Sequence, residues 1–163
     1  MARSTTDPAP LRILFVCLGN ICRSPLAEGI ARHLAGGAPS PIHVDSAGTG
    51  GWHIGDPPDG RSIAVARRHG VDISAQAARQ VERADFTRFD LILGMDRQNV
   101  ATLRALAPAG TTARIALFLD HTLGLDEDVP DPYFGGADGF EAVYSQLFKG
   151  CGALLAASDG LAS

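Results

Sequence analysis

Cysteine is scarce in this chain, with three in 163 residues: Cys17, Cys22 and Cys151. A secreted disulfide framework needs more of them, and no Cys/His spacing fits a zinc site, so the close pair at 17 and 22 is read as chemistry and Cys151 as core. A basic excess is also lacking: the formal net charge is -4, which leaves no basic surface for nucleic acid. No segment is apolar for long enough to span a bilayer, and Met1 to Pro10 is polar with two prolines instead of the apolar run of a secretory signal. The expected location is the cytoplasm, without a membrane partner. The five histidines, His33, His43, His53, His69 and His121, lack metal-ligand spacing, so no metal and no cofactor are expected and none of the five is assigned to a mechanism. There is no internal repeat.

What is present is an ordinary globular composition, 45% hydrophobic and 20% charged, at a length suited to one domain. The expected domain spans 11–158, between short tails at 1–10 and 159–163. Apolar strand-like runs alternate with helical patterns, which marks a parallel sheet with crossover helices. Arg12 to Cys17 reads as the first strand. Leu26, Ile30 and Leu34 then recur on a helix that Gly36-Gly37 ends, with Glu28 and Arg32 as an exposed i,i+4 pair. Ile42 to Ala47 is the second strand, Asp59 to His69 a helix, and Leu91 to Met95 the third strand. Asp96 caps a helix burying Val100, Leu103 and Leu106, and Ile115 to Leu119 is the fourth strand.

The stretch Asp120 to Gly139 is rich in Asp, Gly and Pro and too long for a simple connection, which favours function. The last helix starts with a capping box at Asp138 and Glu141. Its apolar stripe is Phe140, Val143, Tyr144, Leu147, Phe148, Cys151, Leu154 and Leu155. The fold expected is a single-domain, three-layer α/β/α arrangement around a four-stranded parallel sheet, with a phosphate-binding loop after strand 1.

That loop is Cys17-Leu18-Gly19-Asn20-Ile21-Cys22-Arg23-Ser24, followed by Pro25. A thiol at its first position can attack phosphorus, and five intervening residues leave enough chain to turn backbone N–H groups toward a central anion. Arg23 supplies a planar fork for two phosphate oxygens. Ser24-Pro25 reads as an N-cap and first-turn proline, which delivers the anion to a helix N-terminus, a field that also favours a thiolate.

The loop resembles that of the low-molecular-weight protein tyrosine phosphatases, and the likeness extends to Asp45-Ser46-Ala47-Gly48-Thr49, to Trp52 with Gly55-Asp56-Pro57-Pro58, and to Asp131-Pro132-Tyr133. The resemblance implies the sheet order 2-1-3-4 and hydrolysis of phosphotyrosine through a cysteinyl-phosphate at Cys17, with Asp131 as general acid and base. It also implies a substrate pocket walled by Trp52 and Tyr133, with Phe134 where some relatives have a second Tyr, and loop support from Asn20, Ser24 and Ser46. Many relatives carry His near the position of Gln76, a support this chain lacks.

A regulatory disulfide between Cys17 and Cys22 is expected on oxidation. Expected partners are phosphotyrosine-bearing proteins, a cognate tyrosine kinase among them, with inorganic phosphate as product and a monomer or weak dimer as the assembly. Two other readings share the loop. An arsenate reductase needs relay cysteines, and Ala77 to Asp90 has none. An inactive anion-binding module has no need of Cys17, Arg23 and Asp131 together.

Overall fold

The computed structural model of the chain describes residues 11–36 and 42–162, with side chains to residue 157. Four strands, β1 (Leu11–Cys17), β2 (Ile42–Gly48), β3 (Leu91–Gly94) and β4 (Arg114–Leu117), form one parallel sheet in the order β2-β1-β3-β4. Around it lie α1 (Arg23–Ala35), α2 (Gly60–Arg68), α3 (Asp85–Arg88), α4 (Arg97–Leu106), α5 (Phe118–Leu123) and α6 (Ala137–Ala162). This is the expected three-layer architecture with the expected strand order.

The first strand is apolar without alternation because helices cover both of its faces. Ile13 and Phe15 point into a core built with Leu26 and Ile30 of α1, Val65 of α2, and Phe140, Val143, Leu147 and Cys151 of α6. Leu14 and Val16 point the other way, onto Phe86 of α3, Phe89 just after it and Leu103 of α4. All four strand residues have no accessible surface, and each such burial contributes about 1.5–3 kcal/mol relative to exposure. With partners on either side, β1 ends at Cys17 opposite Gly48, in the middle of the carboxyl edge of the sheet. A loop leaving from that point has firm walls on both flanks.

Several local expectations are corrected. Cys22, not Ser24, is the N-cap of α1, so Ser24 lies inside the first turn with its hydroxyl free for other work. Glu28 is 6% exposed rather than a surface residue, although its ion pair with Arg32 is present at 2.7 Å. The fourth strand ends at Leu117; Phe118 and Leu119 turn inward as the first residues of α5, where their side chains reach the core. Leu106 and Phe148, expected in the buried stripes of α4 and α6, are exposed. Helix α6 begins at Ala137, so Asp138 occupies its first turn and does not cap it.

The long segment is therefore shortened at both ends, leaving a loop at 124–136. Helix α3 was not anticipated. The tail at 1–10 lies outside the described residues, as do Gly37 and Ser163, while the expected tail from 159 falls on the end of α6.

Candidate active site

After Cys17 the chain leaves the sheet and curls into α1. Asn20 takes the turn at a φ of 58°, the left-handed region that Asn tolerates better than most residues. Among the described residues, the backbone N–H groups of Leu18 to Cys22 donate to no protein acceptor outside regular structure. They remain available to an anion, next to the N-terminus of α1.

Hydrogen bonds beneath the loop set its proton arrangement. The backbone N–H of Arg79 donates to the Asn20 side-chain oxygen at 3.0 Å, which turns the Asn20 amide nitrogen toward Ser24 Oγ (2.8 Å) and Ser46 Oγ (3.0 Å). The Ser46 hydroxyl donates at 2.6 Å to the carboxylate of Glu28, leaving its own oxygen to accept from Asn20. Ser24 Oγ, which accepts from Asn20, lies 3.0 Å from Cys17 Sγ and 3.5 Å from the Ala47 carbonyl, so its own proton can be given to either. The chain that starts at Glu28 thus ends in a hydroxyl against the sulfur.

Arg23 is 2% exposed. Its Nη1 donates to Asp96 Oδ2 at 2.7 Å and to the Val129 carbonyl at 2.9 Å, and Nη2 lies 3.7 Å from Asp131 Oδ2. Burial works against its charge, but Cys17, Asp96 and Asp131 outweigh burial and its pKa is raised. Nε is buried without a protein partner among the described residues. One edge of the guanidinium is therefore anchored while Nε is left for an oxyanion.

Above this floor opens a pocket of about 200 Å³, lined by Cys17, Leu18, Gly19, Ile21, Cys22 and Arg23 below and by Trp52, His53, Asp131, Tyr133 and Phe134 at its rim. Trp52 is 72% exposed, so it forms a wall and does not anchor a buried loop. Its ring lies over Gly50, where a Cβ would come within 1.7 Å of the ring carbons. Gly50 is in turn fixed to the phosphate loop by its N–H bond to the Leu18 carbonyl. Tyr133 and Phe134 meet edge to face at 4.9 Å, and Asp131 Oδ1 accepts from the Tyr133 N–H at 3.0 Å.

Every residue expected at the site converges on it, with Asn20, Ser24 and Ser46 beneath the loop. Burial pushes the Cys22 thiol up to about 12, with Asp59, Cys17 and Asp131 adding to the effect, so it stays protonated. Four participants were missed. Asp96 was read as a helix cap, and it is one, through Asn99, but it also holds Arg23. Glu28 was placed on the surface. Arg79 was unassigned; besides its N–H bond to Asn20, its guanidinium pairs with Asp45 and the buried Asp85. His53 lies at the rim, 3.3 Å from Asp56. None of the four carries a local sequence signal for its place at the site, because the partners that matter there lie on other elements or at the pocket mouth.

A parallel sheet whose central strand ends in an anion loop with a thiol at its floor defines a thiol-dependent phosphoryl-transfer scaffold. Residues 12–160 match the model of the low molecular weight phosphotyrosine protein phosphatase family. The low molecular weight protein-tyrosine-phosphatase YfkJ of Bacillus subtilis is 46% identical over 149 residues, covering 90% of this chain and 94% of that protein. The crystal structure of YfkJ superposes with a TM-score of 0.85 over 94% of this chain and 98% of that one, at 43% identity. The structure of DARP, a Drosophila arginine phosphatase, gives a TM-score of 0.83 at 35% identity, covering 91% of this chain and 98% of that one. The chain belongs to the low molecular weight phosphotyrosine protein phosphatase family.

Proposed function

We propose that this protein hydrolyses phosphotyrosine in proteins, and small aryl phosphates, in two displacements at Cys17. The thiolate attacks phosphorus while the aryl oxygen leaves on the opposite side with the proton of Asp131. Loop amides and Arg23 neutralise the equatorial oxygens of a loose transition state. Water then attacks the cysteinyl-phosphate, the Asp131 carboxylate takes its proton, and the S–P bond breaks to give inorganic phosphate. No step needs a cofactor.

The observation that carries this reading is the convergence of Ser24 on Cys17 beneath the buried Arg23, with Asp131 facing the same guanidinium from the far side of the pocket. The aromatic pair Trp52 and Tyr133 favours an aryl ester over phosphoarginine, the substrate class that DARP's name implies for that protein. Three free thiols suit a reducing compartment, and we place the protein in the cytoplasm, as a monomer or weak dimer opposing a tyrosine kinase.

The test is hydrolysis of p-nitrophenyl phosphate, a phosphotyrosine peptide and phosphoarginine in the presence of a chelator. Cys17→Ser is expected to abolish turnover, and Asp131→Asn to lower it on the tyrosine ester by about 10²- to 10⁴-fold. Activity unchanged in Cys17→Ser sinks the mechanism; a preference for phosphoarginine sinks the substrate assignment.

A further inference from the structure

The loop at 124–136, which carries Asp131, is secured unevenly. Before Asp131 it is well tied: the Val129 N–H donates to the Met95 carbonyl at 2.9 Å, Arg23 donates to the Val129 carbonyl, and Arg97 clasps Asp126 and Asp128. After Val129 the hydrogen bonds turn inward, Tyr133 N–H to Asp131 and Gly135 N–H to Pro132. Among the described residues, apart from the Gly139 N–H donating to the Gly136 carbonyl at 3.1 Å where α6 begins, a single hydrogen bond joins 130–136 to the rest of the protein. It runs from Arg61 Nη1 to the Gly135 carbonyl, at 3.3 Å.

Arg61 does more than donate that bond. Its guanidinium lies 5.4 Å from the centre of the Tyr133 ring and 4.6 Å from that of Phe140, where α6 takes over from the loop. Its Nε and Nη2 grip both oxygens of Asp59, at 3.0 and 3.1 Å. Asp59 is the N-cap of α2, and its own N–H donates to the Ile21 carbonyl of the phosphate loop at 2.8 Å. A continuous path therefore runs from the loop holding the thiol, through Asp59 and Arg61, to the loop holding the acid. With one edge of the fork taken by Asp59, the charge of Arg61 is neutralised locally, and it is no second phosphate anchor.

We propose that Arg61 is a positioning residue that holds Asp131 and Tyr133 in register with the phosphate loop. The inference rests on the assignment of Asp131 as general acid. The chemistry calls for arginine: a planar group offers a carboxylate-matching edge, a further N–H for the Gly135 carbonyl and a flat face for aromatic rings at the same time. A lysine ammonium supplies the charge without the fork. Small displacements of a catalytic group have large effects, a misplacement of 1 Å costing up to about 10²-fold.

The test compares kcat/KM, which reports leaving-group departure, across aryl phosphates from dinitrophenyl through p-nitrophenyl to phenyl and tyrosyl esters. A good leaving group needs no proton and a poor one does. Arg61→Ala is expected to lower kcat/KM by about 10- to 100-fold on phenyl and tyrosyl phosphate and by less than about 3-fold on the dinitrophenyl ester. Inhibition by inorganic phosphate is expected to change by less than about 2-fold, since the loop around the anion stays intact. Arg61→Lys should recover only part of the deficit, and should Arg61→Ala not fold, it gives the same contrast at smaller amplitude.

Asp131→Asn is the reference. Adding Arg61→Ala to it should cost nothing further on the poor leaving groups, because Arg61 acts through the acid. A uniform loss across the series, or no loss, in the Arg61 variants overturns the inference while Asp131→Asn remains selective. If Asp131→Asn is itself uniform, the acid assignment fails, and with it the role given to Arg61.

Discussion

Asp96 performs two tasks that substitution can separate. One oxygen accepts from the Asn99 N–H at 2.8 Å, closing a capping box on α4, and the other accepts from Arg23 Nη1 at 2.7 Å. Serine at this position keeps the cap, since its hydroxyl can reach the same N–H, but it is too short and uncharged to hold Arg23. Alanine loses both. The cap is worth about 1 kcal/mol. The charged hydrogen bond to a buried guanidinium is worth about 1.5–3 kcal/mol, with the lower half of that range the better guide because Asp96 is partly open to solvent. Asp96→Ser should therefore cost about 2 kcal/mol and Asp96→Ala about 3 kcal/mol. For a chain of this size these correspond to falls in Tm of roughly 4–8 and 6–12 °C.

Activity divides the two variants differently from stability. Arg23 keeps the Val129 carbonyl but loses the partner that sets its edge, so both variants should lose about 10- to 100-fold in kcat/KM on p-nitrophenyl phosphate. Calorimetry and steady-state kinetics on the three proteins suffice. If Asp96→Ser retains wild-type kinetics while Asp96→Ala loses stability, Asp96 is a helix cap alone, and the argument that it orients Arg23 is wrong.

Two further outcomes follow from the rim and the floor of the pocket. Gly50→Ala should drive the Trp52 ring from its seat, which shifts the emission of the only tryptophan and raises KM for aryl phosphates by about 3- to 10-fold with little change for inorganic phosphate inhibition; an unchanged emission spectrum would show that the ring does not rest there. Peroxide inactivation should be reversed by thiol reductant in the wild type but not in Cys22→Ser. Oxidation of Cys17 to sulfenic acid removes one of the charges that raise Cys22, easing attack of Cys22 sulfur on Cys17 sulfur, with a disulfide formed and water released. Thiol mapping of the peroxide-treated wild type that finds no Cys17–Cys22 bond excludes the disulfide.

Residues whose role is set by neighbours along the chain were legible in the sequence. The first strand, the loop, the left-handed Asn20 and the helix ended by Gly70 at a φ of 80° all follow from local rules of backbone and burial. Convergence of Asp131, Trp52 and Tyr133 on Cys17 was legible only through family resemblance, since spacing cannot bring position 131 to position 23. Asp96 was half read, because a cap is a local signal and an ion pair across the sheet edge is not. Glu28 was misplaced because an i,i+4 pair with Arg32 looks the same whether one partner is outside or, as here, drawn beneath the loop by Ser46. The fourth strand was overrun for a similar reason. Continuous apolar sequence does not reveal where a strand at the sheet margin stops and a buried helix begins.

The position of β1 between two hydrogen-bonded neighbours has an evolutionary consequence. The thiol, Arg23 and the donor chain under them are built on the part of the sheet that opens only with the whole fold. The residues that meet the body of a substrate, Trp52, His53, Tyr133 and Phe134, hang on two surface loops, one of them joined past Val129, among the described residues, to elements remote in sequence by a single hydrogen bond. Changes at the mouth are therefore insulated from changes at the floor. A lineage can exchange one phosphorylated side chain for another by altering the two loops while its phosphoryl-transfer apparatus stays constant.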